Sequence, residues 1–518
     1  MNSSLRFLAS VSAACFAVVF LWADIGRADV KLPPVFGNHM VLQRAAAVPV
    51  WGQALPSEEV TVKFRDQEKK ATADAKGAWR VELAPLTVGG PETMTISGKN
   101  KILLENVLVG EVWVGSGQSN MRGGVSDYAN RDEVLAKWAA GAPYAKLRLA
   151  HAGGWQEATP KNLNGFSAIL FAFGLKLQQE LDVPVGLMLG AAGGTPSGAW
   201  LSEAALADDA ECQKLIAVQA ANYDDVLKTF NAKTLPEFEK QAAAAKAAGK
   251  TVPKAPVAPP KPGTVNGRPV GYLYEALIRP FVGYRIRGVL WDQGESGTAV
   301  GGVDQYMLMG ALIRGWRKEW NQGDFPFIYV QKASGGGCAW DPTDPVTAKG
   351  EPFQPLPPTV PADGQYLETH VRIMNYPQTG MAISSDLGLG VHPVNKSGYG
   401  QRSAAVALGM VYKKPVAYYG PKYESHEVAG GKVRVKFSHV GQGLAWKHGE
   451  RLQGFAVAGE DRKFLWATAE IDGDSVVLTC QEVPQPTAVR YAWSGKRTWA
   501  NLFNKDGLPA IPFRTDAW

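Results

Sequence analysis

The hydrophobic and polar positions along the chain fall into three successive patterns. From residue 29 to about 107, short runs such as 60–64 (VTVKF) alternate with period two between turn residues, which is typical of antiparallel strands. From 108 to 414, apolar strand-like runs alternate with helical stretches, which predicts a parallel sheet covered by helices on both faces. From 415 to 518 the period-two pattern returns. We therefore predict an N-terminal β-domain over 29–107, an α/β domain over 108–414 and a C-terminal β-domain over 415–518.

Apolar runs mark the candidate strands of the α/β domain. They are residues 112–114, 147–149, 185–189, 288–291 and 327–330, with helical patterns at 167–181 and 306–320. A segment of different composition, 203–262, interrupts this alternation. Its Ala/Lys-rich part, 237–250, predicts a helix, and its Pro-rich part, 253–262, predicts an extended chain. We interpret this segment as a surface insertion.

The first 28 residues have the pattern of a signal peptide. Arg6 precedes the mostly apolar run 7–22, and small residues at 26 and 28 precede a predicted cleavage site before Asp29. The apolar run is shorter than the ~20 residues that a membrane-spanning helix needs, although a retained N-terminal anchor is the alternative. The pattern predicts a secreted or periplasmic protein with no membrane span after cleavage.

Composition excludes several classes of protein. Of 518 residues, 46% are hydrophobic, which excludes a disordered chain. The 54 basic and 48 acidic residues give a net charge of +6 without a Lys/Arg block, so we expect no nucleic-acid partner. With only 4 cysteines and no CxxC or HExxH motif, we expect no metal ion and no cofactor.

The strongest local motif is GSGQSNM at 115–121, directly after the candidate strand 112–114. A Gly-rich turn between a strand and a helix exposes a side chain at the carboxyl edge of the sheet, where open α/β folds bind ligands. The motif is neither the dinucleotide-binding fingerprint nor the GxSxG elbow. A serine here, either Ser116 or Ser119, suits nucleophilic catalysis if a histidine reaches it. An ordinary Gly/Ser turn is the alternative.

A second motif, DLGLGVHP at 386–393, carries a carboxylate and a histidine in a Gly-rich loop after a strand-like run. The chain order of serine, Asp386 and His392 is that of a hydrolase triad on a parallel sheet. His151 also follows a strand, but no carboxylate accompanies it in that loop, and His370 precedes a strand-like run. His392 is therefore the best-placed base.

Two further turns follow strands of the same predicted sheet. In the motif WDQGESG at 291–297, the Gln293 amide can donate to a developing oxyanion, and Glu295 can orient a neighbour by accepting hydrogen bonds. In the motif GAAGGTP at 190–196, small residues allow backbone N–H groups to approach a substrate oxygen. Each turn taken alone is equally typical of a tight connection between a strand and a helix.

The combination of these motifs resembles the sialate O-acetylesterase family of SGNH-type hydrolases, which are secreted carbohydrate esterases. The resemblance covers nearly the whole mature chain except 203–262. The matching segments are 32–33 (LP), 36–43 (FGNHMVLQ), 48–52 (VPVWG), 117–121 (GQSNM), 183–186 (VPVG), 193–196 (GGTP), Trp291, 293–296 (QGES), 392–393 (HP), 395–396 (NK) and 501–510 (NLFNKDGLPA).

The resemblance implies a role for each site residue. It implies that Ser119 is the nucleophile and His392 the general base, with Gln118, Asn120 and Glu295 in supporting positions. The oxyanion hole would consist of the Ser119 and Gly194 backbone N–H groups and the Gln293 side chain.

Two positions depart from the family pattern. Gly390 stands where the family has an aspartate two residues before the histidine, and Gly297 stands where it has asparagine. Three candidates for orienting His392 therefore remain: Asp386, which we assign, Glu295, or a backbone carbonyl.

The resemblance implies an SGNH-like, flavodoxin-like three-layer α/β/α domain between the two β-domains. It also implies a serine esterase that removes O-acetyl groups from sugars, with acetylated sialic acid as the family's namesake substrate. Acetylxylan or another acetylated plant or algal polysaccharide is the alternative substrate. A carbohydrate-binding protein with a decayed active site is the alternative of a different class, which Gly297 and Gly390 favour.

Overall fold

The structure is a computed structural model that describes residues 29–151, 154–332 and 334–518. The predicted signal peptide, 1–28, lies outside the described residues. The N-terminal strands are β1 (Val41–Gln43), β2 (Val48–Gln53), β3 (Glu59–Phe64), β4 (Gln67–Thr72), β5 (Ala78–Leu83) and β6 (Gly89–Ser97). The strands of the α/β region are β7 (Lys101–Gly117), β8 (Tyr144–His151), β9 (Gly154–Ala158), β10 (Val185–Ala191), β11 (Gly288–Asp292), β12 (Phe327–Val330) and β13 (Thr379–Ala382).

The C-terminal strands are β14 (Lys422–Ala429), β15 (Lys432–Ser438), β16 (Leu444–Trp446), β17 (Phe455–Ala458), β18 (Leu465–Trp466), β19 (Thr468–Asp472), β20 (Ser475–Thr479), β21 (Ala488–Tyr491), β22 (Leu502–Asn504) and β23 (Phe513–Arg514). The α-helices are α1 (Ser119–Arg122), α2 (Val125–Tyr128), α3 (Glu133–Ala140), α4 (Pro160–Asn164), α5 (Ala168–Leu181), α6 (Glu203–Asp208), α7 (Ala210–Ala221), α8 (Tyr223–Thr229), α9 (Leu235–Ala247), α10 (Gln305–Trp320), α11 (Gln365–Ile373) and α12 (Lys396–Met410).

The central sheet has the strand order β13-β12-β11-β7-β10-β8-β9 and is parallel except for the β8–β9 pair. Strands β10 to β13 are buried along their whole length, which explains why they are continuous apolar runs in the sequence. Helix α5 packs against α12, and both contact the sheet. The chain is therefore a mixed α/β protein with a central parallel sheet and additional β-sheets.

Five strands of the parallel sheet stand in the flavodoxin-like order. Numbered along the chain without β8, the neighbouring strands β10-β7-β11-β12-β13 read 2-1-3-4-5, which is that order. Strands β8 and β9 extend the sheet beyond β10: β8 begins with exposed residues and pairs with the antiparallel strand β9 at the edge.

Strand β7 lies where the chain changes direction across the sheet. The strands that follow it first, β8 and β10, lie on one side, and β11, β12 and β13 lie on the other. Such a switch point leaves a crevice at the carboxyl ends of the two strands that flank it. The topology therefore predicts a ligand site at the carboxyl ends of β7 and β11.

The same strand joins the N-terminal region to the central sheet. The first part of β7 pairs with β6, and the second part pairs with β10 and β11, so the predicted boundary between residues 107 and 108 falls inside a continuous strand. One hydrophobic core, with members from Val30 to Ile511, spans both regions. The C-terminal strands enclose a separate core between Val433 and Phe513.

Helices α6 to α9 lie in the segment 203–262, and the helix predicted over 237–250 is observed as α9. Residues 251–260 that follow have no regular secondary structure. No helix in the part of the chain that the structure describes is long and apolar enough to cross a membrane.

Candidate active site

The end of β7 brings Ser119 to the sheet edge through a turn that requires glycine. Gly117 has a φ of +132°, and a Cβ atom added there would lie 2.1 Å from the Asp292 carbonyl oxygen of β11. The Gln118 backbone N–H donates to the same carbonyl oxygen at 2.9 Å. Helix α1 then begins with Ser119, which is half-buried. The close approach of β7 to β11 therefore fixes the backbone on which Ser119 stands.

His392 reaches Ser119 from the loop after β13. Its Nε2 atom lies 2.8 Å from Ser119 Oγ, which is hydrogen-bonding distance. The loop is built around Gly388 and Gly390, whose φ angles are +116° and +89°. The structure thus brings together the serine and the histidine that the sequence motifs singled out, although they are 273 positions apart.

The structure does not bring Asp386 to His392, so our assignment of this carboxylate as the group that orients the imidazole is corrected. Both Asp386 oxygens accept hydrogen bonds from the Arg402 guanidinium, at 3.2 and 2.9 Å. Both side chains are buried. A paired carboxylate compensates the charge of a buried guanidinium, and the two parallel donors of Arg402 match the two Asp386 oxygens. Asp386 is therefore a structural partner of α12.

The amide of Gln293 is likewise not directed at Ser119, which corrects its assignment to the oxyanion hole. Its Nε2 atom donates to the Thr195 and Gly297 carbonyl oxygens, at 3.3 and 3.1 Å. Its Oε1 atom accepts from Ser197 Oγ at 2.8 Å and from the Gln305 amide at 3.2 Å. With both amide hydrogens engaged in buried bonds, Gln293 holds the neighbouring loops together instead.

Two backbone N–H groups beside Ser119 remain without a backbone acceptor in the described part of the chain. A Cβ atom added to Gly193 would lie 3.6 Å from Ser119 Cβ, so the 193–194 loop lies beside the serine. Gly194 is exposed and has a φ of +69°. Within the described residues, neither the Gly194 N–H nor the Ser119 N–H has a backbone acceptor. Both are available to a substrate oxygen.

Glu295 is an acceptor for the two side chains that flank Ser119. Its Oε2 accepts from the Gln118 amide at 2.5 Å, and its Oε1 accepts from the Asn120 amide at 3.1 Å. Its Oε1 also lies 2.7 Å from Lys332 Nζ, and this ammonium holds the pKa of Glu295 below its ordinary value, against the opposing effect of burial. Glu295 therefore anchors the loop that carries Ser119 and forms no hydrogen bond or ion pair with His392.

No role was assigned from the sequence to three buried groups of the site, which are Asp292, Lys332 and Lys396. Lys332, just after β12, pairs with both Asp292 and Glu295, and these two carboxylates raise its pKa although burial opposes them. Lys396, the first residue of α12, donates from Nζ to Asn120 Oδ1 at 2.6 Å. The available signal was position, since Asp292 and Lys332 stand at the carboxyl edge beside the motifs. A lone lysine, however, is usually a surface residue.

His370 is a further buried group beside the site. A Cβ atom added to Gly294 would lie 2.8 Å from its Nε2 atom. Burial lowers the pKa of His370 to about 4, so the imidazole is neutral at pH 7. Within residues 29–151, 154–332 and 334–518, no three His, Cys, Asp or Glu side chains are grouped so that they could hold a metal ion.

Comparison with known proteins reveals relatives along nearly the whole chain. No family model matches. The chain is 27% identical to human sialate O-acetylesterase over 96% of its own length and 94% of the relative, and 32% identical to the rat enzyme over 57% and 59%. A carbohydrate acetylesterase from Xanthomonas citri is 28% identical, with a TM-score of 0.73 over 94% of this chain and 100% of the other. The resemblance indicated by the sequence motifs is confirmed: the chain is a homologue of the sialate O-acetylesterases.

Proposed function

We propose that the chain is a carboxylic ester hydrolase that removes O-acetyl groups from carbohydrate, with Ser119 as nucleophile and His392 as general base. The observation that carries this proposal is the 2.8 Å separation of His392 Nε2 and Ser119 Oγ. This pair stands at the carboxyl edge of β7, beside the switch point of the sheet. The homology to carbohydrate acetylesterases supports the same reaction.

In the first half-reaction, Ser119 Oγ attacks the acetyl carbonyl carbon while His392 Nε2 takes the hydroxyl proton. The carbonyl oxygen becomes an oxyanion that accepts hydrogen bonds from the Ser119 and Gly194 N–H groups. The intermediate then collapses: the bond to the sugar oxygen breaks, and His392 gives its proton to that oxygen. The sugar leaves with a free hydroxyl, and Ser119 carries the acetyl group.

In the second half-reaction, a water molecule takes the place of the sugar. His392 removes a proton from the water, the resulting hydroxide attacks the acetyl carbon, and the same N–H groups stabilise the oxyanion. The bond to Ser119 Oγ breaks, and His392 returns its proton to the serine. The products are the free enzyme and acetic acid, which loses its proton to solvent and becomes acetate, so one water is consumed for each ester hydrolysed.

The substrate that we propose is an O-acetylated sialic acid, because the human and orangutan relatives are sialate O-acetylesterases. An acetylated polysaccharide is the second candidate, because the X. citri relative is described as a carbohydrate acetylesterase. Acetate release should be measured on acetylated sialic acids and on acetylated xylan in parallel. Exclusive turnover of xylan would move the assignment to the second candidate.

The finer fold assignment and the location are part of the proposal. We assign the α/β region to the SGNH-like three-layer class, supported by the GQSNM serine after the first central strand and the histidine after the last one. We also propose export directed by residues 1–28. Mass spectrometry of the exported protein should find a chain that begins at Asp29, and a retained residue 1 would contradict cleavage.

Acetate release by the wild type and by the Ser119→Ala variant tests the function. We expect turnover by the wild type and its loss in the variant, with unchanged binding of the glycan. A binding protein with a decayed site would instead bind the glycan and release no acetate in either form. The hydrogen bond between Ser119 and His392 favours an active enzyme over a binding protein with a decayed site.

A further inference from the structure

His392 lacks the acidic partner that would normally hold a catalytic histidine. Position 390 is glycine, Asp386 pairs with Arg402, and no side chain in the described part of the chain bonds to His392 Nδ1. The loop nevertheless delivers Nε2 to Ser119, although it is Gly-rich and exposed. Another contact must therefore restrict the position of His392.

That contact comes from the residue after the nucleophile. Asn120 Nδ2 donates to the backbone carbonyl oxygen of Val391 at 2.9 Å, and Val391 directly precedes His392. Asn120 itself is fully buried. The side chain that follows Ser119 is thus bonded to the backbone that precedes His392, so one hydrogen bond couples the two reacting groups.

Lys396 determines which way the Asn120 amide points. Lys396 Nζ donates to Asn120 Oδ1 at 2.6 Å, while Asn120 Nδ2 donates to Glu295 Oε1 at 3.1 Å as well as to Val391. A lysine head group donates in either protonation state, and a carboxylate only accepts. A rotated amide would place its oxygen against Glu295 and the Val391 carbonyl and its hydrogens against Lys396. The surrounding groups therefore admit one amide orientation.

Lys396 is removed from water at this position, which costs free energy of hydration. It is fully buried, its Nζ lies 4.4 Å from the centre of the Tyr128 ring, and burial lowers its pKa to about 7. Asn120 Oδ1 is the only hydrogen-bond acceptor of Lys396 Nζ within the described residues. Desolvation of an ammonium with so few partners opposes folding. A stabilising role does not account for a lysine here, whereas orientation of Asn120 does.

We propose that Lys396 is a positioning residue, which through Asn120 holds the His392 loop against Ser119 in place of the missing carboxylate. The assignment rests on the proposed function, since it needs Ser119 and His392 to carry out the hydrolysis. It gives a role to a lysine whose Nζ is bonded to neither Ser119 nor His392.

The test compares Lys396→Met with Asn120→Asp. Methionine keeps the length and removes the donor, and aspartate keeps an acceptor for Lys396 but cannot donate to Val391. We expect each change to lower kcat on p-nitrophenyl acetate by about 10²-fold with KM unchanged, the loss that follows when a reacting group is displaced by ~1 Å. Because both act through one bond, the double variant should lose no more than either single variant.

Ser403→Ala is the matched control, because Ser403 is buried in α12 about two turns after Lys396, and within the described residues its hydroxyl bonds only to the Tyr399 carbonyl. It should keep wild-type kcat. If Lys396→Met does not fold, the kcat of Asn120→Asp alone tests whether the Asn120 bond positions His392. Wild-type kcat in folded Asn120→Asp or Lys396→Met, alongside an inactive Ser119→Ala, would overturn the positioning role and leave the proposed function intact. An active Ser119→Ala would overturn both.

Discussion

The two loops that meet at the site are held in different ways. The loop after β7 carries Ser119 among buried neighbours: Gln118 and Asn120 are buried, and both are bonded to Glu295. The loop after β13 carries His392 in solvent, with Leu389 and Val391 51% and 59% exposed. The nucleophile is fixed by its own surroundings, whereas the base is fixed by a bond that reaches it from the nucleophile's side.

This difference shows how a dyad can keep its geometry when the acid of a triad is absent. Catalysis requires the reacting groups to be held close to the productive geometry, and it matters little which group supplies the restraint. Here the loop after β7 supplies the restraint for both Ser119 and His392. Damage to the nucleophile loop should therefore affect both reacting groups, and damage to the base loop only one.

Ser119→Ala should have the largest effect on turnover. Loss of the nucleophile leaves only the rate supplied by the oxyanion donors and substrate binding, a fall of about 10³-fold or more in kcat. Ser116→Ala is the matched control, since Ser116 is fully buried and its Oγ has no partner within the described residues. Comparison of acetate release by the two variants separates the candidates. If Ser116→Ala lost activity and Ser119→Ala kept it, Ser116 would be the nucleophile.

Replacement of a glycine by alanine should lower the free energy of unfolding more in the loop after β7 than in the loop after β13. In Gly117→Ala the new Cβ would overlap the Asp292 carbonyl at 2.1 Å, whereas in Gly390→Ala nothing lies within 4 Å of it. Both positions have positive φ, so the second change should cost only the backbone strain, about 1–3 kcal/mol. Urea denaturation should show a clearly larger loss for Gly117→Ala. Equal losses would mean that β7 and β11 can separate at this point.

The pH dependence of stability should report the buried state of Lys396. Its pKa falls from 10.5 to about 7 on folding because of burial, so between these pH values the unfolded chain binds more protons than the folded one. Stability should therefore rise with pH from about 7 towards 10.5, by at most about 1.4 kcal/mol per pH unit for one group, with no slope from this group below 7. Lys396→Met should lack this contribution. Parallel denaturation curves for both proteins at pH 7 and pH 9 measure it, and an identical pH dependence would show that Lys396 is solvated.

The sequence predicted those parts of the site that follow directly from local position. Ser119 and His392 each follow a strand of the parallel sheet, and the carboxyl ends of such strands meet at one edge. Asp386 was misassigned because a Gly-rich loop permits a carboxylate to turn back, and its true partner, Arg402, stands on the following helix. Gln293 was misassigned because the Thr195 carbonyl, 98 positions away, and the Gly297 carbonyl of its own loop take up both amide hydrogens.

The extension of the sheet beyond β10 was not predictable from the same patterns. An apolar run such as 147–149 indicates a strand but does not determine its neighbours, so the place of β8 between β10 and β9 depends on the complete fold. The buried lysines were missed for a related reason. Lys332 and Lys396 are buried because carboxylates or an amide from other segments meet them, and such pairing depends on the complete fold.

The turnover of Asp386→Asn tests most directly whether His392 works without a carboxylate partner. The change removes the charge that Arg402 pairs with, so it should lower stability, but it alters no contact of His392. We predict that kcat, measured per folded enzyme, stays within about threefold of wild type. This corresponds to a change of less than ~1 kcal/mol in the activation free energy, because the position of His392 does not depend on Asp386. A fall of about 10⁴-fold, as in triads that lose their aspartate, would contradict the account.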